Sequence, residues 1–228
     1  MSLHIPSADE LPPLEPSDLR ALPVFPLPRV VFFPGTALPL HLFEPRYRDL
    51  IQDCTTVGPN AMAVSLLLPG YEDEYERQPP IAKVSGVGRI VWHEALADGR
   101  HDVVLVGMGR AHLREMPMEG RLYRRAEASM LEDEGSAGSA ELSALLSCAS
   151  AVSAFLRTTH PEFSLGLDEG AAPGRIADVI ADRLIADSGE RQEILETLDV
   201  HERVVRVTSS VSALLAEIQL AGGGGTVH

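Results

Sequence analysis

LPVFPLPRVVFFPGTALPLHLFEPRYRDLIQDC, residues 22–54, has a different pattern in each of its halves. The first half places short apolar pieces between five prolines, and because proline removes an amide donor and fixes φ, it predicts short strands and turns. These pieces are residues 24–25, 30–33 and 38–42. In the second half Pro45 can occupy the first position of a helix, after which apolar residues recur at helical spacing at Tyr47, Leu50, Ile51 and Cys54. The stretch therefore predicts a β-structure that leads directly into a helix.

The residues that follow, up to about 131, continue the β pattern. Apolar or alternating segments at 61–68, 81–96, 103–106, 112–116 and 122–130 predict further strands. Asp98-Gly99 is a hairpin signal, Gly86 and Gly88 predict a bulge or a close backbone approach, and Gly107 and Gly109 predict a sharp bend. Short strands with glycines at this frequency predict a small, closed or nearly closed β-structure.

The stretch EDEGSAGSAE, residues 132–141, predicts a flexible linker because it is small, acidic and without an apolar anchor. Beyond it the apolar residues recur at helical spacing, and Asp199 with Glu202 three residues later predicts the cap of a long last helix. We therefore divide the chain into a flexible N-terminal arm (1–19), a β-rich part (20–131), the linker, a helical part (142–221) and a flexible tail (222–228).

Charge and cysteine content limit the classes of function. The chain of 228 residues carries a net charge of −14, which argues against a surface built to bind DNA or an anionic membrane. The acidic, proline-rich N-terminus and the absence of a long uninterrupted apolar run predict neither a secretory signal nor a membrane span. The two cysteines, Cys54 and Cys148, lie on apolar helical faces and are predicted to be buried, reduced thiols of a cytoplasmic protein.

Three segments, in order along residues 20–220, resemble the N-terminal, substrate-binding domain of Lon proteases. They are the opening stretch with its FEPRY string, GVGRI with ADGRHDVVLVGMGRAHL (86–90 and 97–113), and GRIADVIADRL with ERQEILETLDVHERVVRV (174–184 and 190–207). The resemblance implies an α+β fold in which a PUA-like β pseudo-barrel precedes a helical subdomain. It also implies a recognition module that has no active-site residues of its own and stands alone, without the ATPase and peptidase modules of the full protease.

A search for catalytic motifs supports a non-catalytic chain. Lys83 is the only lysine and lies in neither a phosphate-binding loop nor the surroundings of a Ser-Lys peptidase dyad. The histidines and cysteines show no compact metal-ligand spacing, and no serine has the flanks of a nucleophile elbow. We predict no catalytic residue, no cofactor and no metal site.

Five residues are candidates for binding a partner. Phe32 and Phe33 are adjacent in an extended segment, so one can be buried while the other is exposed, although the core is the favoured place for both. Arg46 of the FEPRYR string either supports the fold or contacts a partner. Tyr71 and Tyr75 lie in an acidic loop that either binds a basic partner or only keeps the protein soluble.

The function predicted from the sequence is binding of polypeptide, either unfolded segments or one specific protein partner. A PUA-like module that binds a small molecule or RNA is the alternative, although the negative charge disfavours RNA. A hydrolase with an unrecognised site is the third possibility, which requires polar residues to converge in a pocket.

Overall fold

The computed structural model describes residues 4–74 and 78–223 of the chain. The chain divides into two compact units, one within Met1–Glu132 and one within Asp133–His228. The first unit contains α1 (Pro16–Leu19), β1 (Leu22–Leu27), β2 (Ala37–Leu42), α2 (Pro45–Thr56), β3 (Ala61–Leu66), β4 (Val84–Ala95), β5 (His101–Glu115) and β6 (Arg124–Leu131), with short 3-10 turns at Ala8–Glu10 and Tyr71–Glu74. The second contains α3 (Ser139–Leu156), α4 (Pro173–Leu184), α5 (Ser188–Glu196) and α6 (Val200–Gly223).

Five of the strands close into a barrel in the order β5-β4-β3-β1-β6, with β6 returning to pair with β5. The pairs are antiparallel except β1 with β3, which run parallel because the chain passes through β2 and α2 between them. A closed barrel followed by helices confirms the predicted α+β fold class.

The sixth strand, β2, extends the sheet beyond the barrel. It pairs with residues 101–106 of β5, whereas β6 pairs with residues 110–115 on the same edge. β3 pairs with β4 only as far as Arg89. The second half of β4, the first half of β5 and β2 therefore form a three-stranded extension, which we call the β-arm.

The barrel unit has two apolar clusters on opposite faces of its strands. The inner cluster draws small and medium-sized residues from all five barrel strands, among them Ala61, Ala63, Ala126 and Ala128. The outer cluster contains the alternate residues of the strands and the buried face of α2, which is Tyr47, Leu50, Ile51 and Cys54. At about 1.5–3 kcal/mol for each large side chain that is fully buried, this face holds α2 against the sheet.

Residues 30–33, predicted as a strand, form no strand but cross the sheet at its glycines. A Cβ atom at Gly86 would lie 1.9 Å from the carbonyl oxygen of Phe32, and one at Gly107 would lie 2.2 Å from that of Phe33. The predicted close approach at Gly86 is confirmed, and the register also shifts between Val87 and Gly88. At Gly107 and Gly109, where a sharp bend was expected, β5 runs on without a break, but its register with β4 shifts, since Gly107 lies opposite Gly88 and Gly109 opposite Val87. Gly107 also makes room for the crossing backbone.

The N-terminal segment is anchored, whereas we expected a loose arm. Arg89 of β4 donates hydrogen bonds from Nε to the Pro12 carbonyl (2.7 Å) and from Nη2 to the Pro13 carbonyl (2.6 Å). The same Nη2 lies 3.1 Å from Oδ2 of Asp18. One guanidinium therefore fixes residues 12–18 to the barrel.

In the second unit, the predicted cap of the last helix is confirmed. The Glu202 amide donates to Oδ1 of Asp199 at 2.8 Å. The stretch expected as a flexible linker is tied to the same place, because Glu134 exchanges backbone hydrogen bonds with Leu198 and Val200. Asp133 accepts a 2.5 Å hydrogen bond from the fully buried Arg203.

Two helices differ from the expectation that no segment reaches membrane-spanning length. By length and composition, α3 and residues 200–221 of α6 could each cross a bilayer. Of these two stretches, 22% and 17% respectively are buried, and α3 and α6 pack against each other. α6 continues to Gly223, into the predicted tail, and residues 224–228 lie outside the described part of the chain.

A candidate polypeptide groove on the barrel unit

Two adjoining hollows form an open groove beside the C-terminal end of α2. The larger has a volume of about 490 Å³ and the smaller about 310 Å³, and both are lined by Asp53, Arg121 and Tyr123. Residues of the N-terminal segment, the end of α2 and the start of β6 complete the larger hollow. We call the whole feature the α2 groove.

The three shared residues form a polar cluster between the hollows. Oδ2 of Asp53 accepts a 2.5 Å hydrogen bond from the Tyr123 hydroxyl, although the two residues are 70 positions apart. Nη1 of Arg121 also donates to Oδ2 of Asp53, and it lies 3.2 Å from the Tyr123 hydroxyl. The Tyr123 ring is buried in the outer apolar cluster, and its hydroxyl belongs to the polar cluster.

Two chain reversals place exposed apolar residues beside this cluster. α2 ends where the amides of Val57 and Gly58 both donate to the Asp53 carbonyl, which leaves the Val57 side chain 90% exposed. Between β5 and β6 the chain turns through Gly120, at a φ of 82° that glycine adopts without strain, and Leu122 is then 55% exposed. Val57 lines the larger hollow and Leu122 the smaller.

The remaining walls of the larger hollow carry charged groups. Asp18 lies on the N-terminal segment, where Arg89 holds it, and Arg89 also donates to the Pro59 carbonyl at 3.1 Å. Arg125 pairs with Glu119 at 2.7 Å, but its Nε is buried and has no hydrogen-bond partner within residues 4–74 and 78–223. The groove thus offers both apolar surface and hydrogen-bonding groups of both signs.

Tyr123 and the buried Cys54 nearby both have a raised pKa. Burial and the hydrogen bond to Asp53 raise the pKa of Tyr123 above its ordinary value. Burial, with a contribution from the neighbouring Asp53, raises the pKa of Cys54 to about 12. A neutral phenol and a neutral buried thiol are hydrogen-bonding and packing groups, not nucleophiles.

The cysteine prediction is correct in part. Both thiols are free, but only Cys54 is buried, while Cys148 is partly exposed and its sulfur lies 3.3 Å from the Ser212 hydroxyl. Within the described residues, no group of three or more histidine, cysteine, aspartate or glutamate side chains could hold a metal ion.

The candidate residues predicted from the sequence are not brought together. Phe32 and Phe33 are only 2% and 0% exposed, so the idea that one of them presents an aromatic surface is corrected, and both belong to the core. Arg46 pairs with Glu44 at 2.7 Å and lies over the Tyr47 ring, 4.7 Å from its centre. Tyr71 is half-buried against the inner cluster, and Tyr75 lies outside the described residues.

The sequence interpretation missed the residues of the α2 groove. The sequence pattern predicts Leu122 in a strand, but β6 begins at Arg124, and Leu122 in the preceding turn is exposed. The exposed phenylalanine of the opening stretch is Phe43, at 60%, which follows the end of β2. The sequence GRLYRR, residues 120–125, gives no distinct signal for Leu122, because single apolar residues are common on protein surfaces.

The barrel and its following helices define the class of protein, and comparison with known proteins gives the family. The chain belongs to the family of the ATP-dependent protease La (LON) substrate-binding domain, whose model matches residues 21–213. The resemblance predicted from the three sequence segments is thereby confirmed.

Related proteins are much longer than the matched region. The chain is 30% identical to Lon protease 2 of Sorangium cellulosum over 227 residues, and 30% identical to the Lon protease of Roseiflexus castenholzii over 206 residues. These alignments cover 95% and 87% of this chain but only 28% and 25% of the relatives. The chain therefore spans about a quarter of the length of the proteins that it matches.

Solved structures show the same fold. The N-terminal domain of a Mycobacterium avium complex Lon protease matches with a TM-score of 0.62 at 17% identity, covering 85% of this chain and 98% of that domain. A Lon N-terminal domain protein from Xanthomonas campestris matches with a TM-score of 0.58 at 24% identity, covering 86% and 97% respectively.

Proposed function

We propose that this chain is a non-catalytic module that binds polypeptide segments, and that the α2 groove is the surface that binds them. Membership of a substrate-binding domain family supports the general role. The observation that carries the choice of surface is the pair of exposed apolar side chains, Val57 and Leu122, on either side of a fixed polar cluster.

An unfolded polypeptide presents apolar side chains together with unsatisfied backbone groups, and the groove has counterparts for both. Burying Val57 and Leu122 removes apolar surface from water at about 25 cal/mol per Å². The carboxylates of Asp53 and Asp18 can accept hydrogen bonds from a backbone, and the Arg125 side chain lines the same hollow. The cluster of Asp53, Arg121 and Tyr123 is already hydrogen-bonded, so little ordering is required when a ligand binds.

The first prediction tests this surface. Val57→Asp and Leu122→Asp place a charge on each apolar contact, and each variant is expected to weaken binding of a permanently unfolded, reduced and alkylated model protein by roughly ten-fold or more. Fluorescence anisotropy of the labelled probe measures the affinity. Both residues are exposed, so circular dichroism is expected to show an unchanged fold.

Two matched controls locate the surface. Leu220→Asp changes an apolar residue that is 79% exposed on the helical unit, and Phe43→Asp changes the exposed phenylalanine after β2. We expect neither variant to alter binding. Loss of binding in Phe43→Asp alone would move the site to the end of β2 and contradict the groove.

The same probe also tests the non-catalytic role. If the purified protein cleaved the probe, and a side-chain variant did not, the non-catalytic role would be contradicted.

A further inference from the structure

The β-arm has two outer edges, and they differ in the backbone groups that they offer. In an antiparallel pair, every second residue points its N–H and C=O groups away from the neighbouring strand. Where no further strand is paired, these groups form a template for an additional strand. The backbone hydrogen bond at the end of each pair of strands shows which residues direct their N–H and C=O groups away from the neighbouring strand.

On the β2 edge the outward position at the centre is a proline. The Gly107 amide donates to the Thr36 carbonyl at 2.9 Å, so Thr36 faces β5. With Ala37 opposite Val106 and Pro39 opposite Val104, the alternation turns Ala37, Pro39 and His41 outward. Pro39 has no amide hydrogen, so this edge lacks the donor in its middle and is protected against pairing.

On the β4 edge the outward positions keep their donors. The Leu96 amide donates to the Arg100 carbonyl at 2.8 Å, which makes this an inward-facing pair. The register of Ala95 with His101, Glu94 with Asp102 and His93 with Val103 then turns Ala95 and His93 outward. Within the described part of the chain, no strand pairing or backbone hydrogen bond uses these outward groups.

The end of β3 creates this open edge. The Ile90 amide donates to the Asn60 carbonyl at 2.9 Å, and the Asn60 side chain donates to the Ile90 carbonyl at 3.1 Å. Before Asn60 the chain passes through Pro59 and Gly58, which line the α2 groove. The open part of β4 therefore begins where the groove ends, and Arg89, bound to the Pro59 carbonyl, connects the two.

We propose that the β4 edge is a second half of the polypeptide site, at which a segment leaving the α2 groove adds to the β-arm as an extra strand through the backbone groups of His93 and Ala95. This inference rests on the proposed function. Backbone pairing is independent of side-chain sequence, so it selects extended, proline-free segments of strand-forming residues. The imidazole of His93 is bonded to His101 at 2.8 Å, which orients the strand beside the added one.

Amide hydrogen exchange tests the proposal residue by residue. The probe is a peptide of about ten alternating threonines and valines with a terminal arginine, added to the whole protein. We expect the amides of His93 and Ala95 to exchange rapidly without peptide and to be protected with it. The amide of Glu94 faces β5 and is expected to be protected in both states.

A proline pair supplies the matched mutational control. Ala95→Pro removes an outward donor without removing a bond to β5, and it is expected to weaken peptide binding by about three- to ten-fold. Ala37→Pro makes the same change on the β2 edge and is expected to leave binding unaltered. A peptide N-methylated at alternate residues is expected to bind more weakly to the unmodified protein, which tests the pairing without any substitution in the strand.

The outcomes separate this inference from the function on which it rests. Protection of His93 and Ala95 supports both proposals. If the peptide binds, Val57→Asp weakens this binding and these amides are not protected, the strand addition is overturned. The proposal for the α2 groove then still holds. Protection of Ala37 and His41 instead overturns the choice of edge. Absence of any peptide binding overturns both.

Discussion

At Gly86 and Gly107, the backbone of a segment distant in the sequence leaves room only for glycine. The carbonyl oxygens of Phe32 and Phe33 reach the sheet where a side chain at either glycine would begin. Neither glycine adopts a left-handed conformation, so space and not backbone freedom is what requires glycine here. The buried phenylalanines follow from the same crossing, because the segment that carries them lies directly on the sheet.

The prediction at this scale compares two glycines of one strand. Gly107→Ala is expected to lower the free energy of unfolding by roughly 1–3 kcal/mol, because the added methyl group meets the rigid carbonyl of Phe33. Gly109→Ala is expected to cost less, because its methyl group meets only the flexible end of Met130. Urea denaturation measures both. Equal costs would contradict the role of the crossing segment.

At the scale of elements, helix ends and strand edges determine what each unit presents. α2 ends at a turn that exposes Val57, and β3 ends at an asparagine that opens the edge of β4. In the helical unit, Asp199 begins α6 at the same place where Glu134 is paired by its backbone. The side chain of Asp199 therefore fixes the start of the helix, and the backbone on either side of it holds the residues that precede α3.

The prediction for this element concerns the cap. Asp199→Ala removes the acceptor for the Glu202 amide and is expected to lower the free energy of unfolding by about 1 kcal/mol. Asp199→Asn keeps a capping oxygen and is expected to stay near the original stability. Thermal denaturation, followed by the circular-dichroism signal of the helices, measures the difference in stability between the two variants. An alanine variant as stable as the asparagine variant would show that the cap contributes nothing.

At the scale of the whole molecule, the chain divides into two compact units. Both apolar clusters of the barrel unit consist of residues between Leu14 and Met130. The α2 groove and the β4 edge also lie entirely in this unit. The proposed binding surface therefore requires only the barrel.

This arrangement predicts that residues 1–132 fold and bind without the helical unit. A barrel of this size, which closes through the pairing of β6 with β5, buries enough apolar surface to be stable. We expect a dispersed amide NMR spectrum, a single cooperative urea transition and the same probe affinity as the whole chain. A fragment with a collapsed spectrum would show that the barrel depends on the second unit.

Local signals in the sequence determined much of the fold. Pro45 and the spacing of Tyr47, Leu50 and Ile51 predicted α2, and Asp199 predicted the start of α6. These signals are reliable because capping, proline geometry and helical periodicity act over a few neighbouring residues. The three segments shared with Lon proteases determined the family for a similar reason, since each is a continuous run of residues.

Only the tertiary structure decided which residues form the surface. The cluster of Asp53 and Tyr123 joins positions 70 apart, and the open edge of β4 exists because β3 stops pairing at Arg89. The burial of Phe32 and Phe33 likewise depends on where their segment crosses the sheet. Burial and strand pairing are set by contacts between residues that are distant in the sequence. The local patterns of a single sequence do not identify which distant residues are in contact.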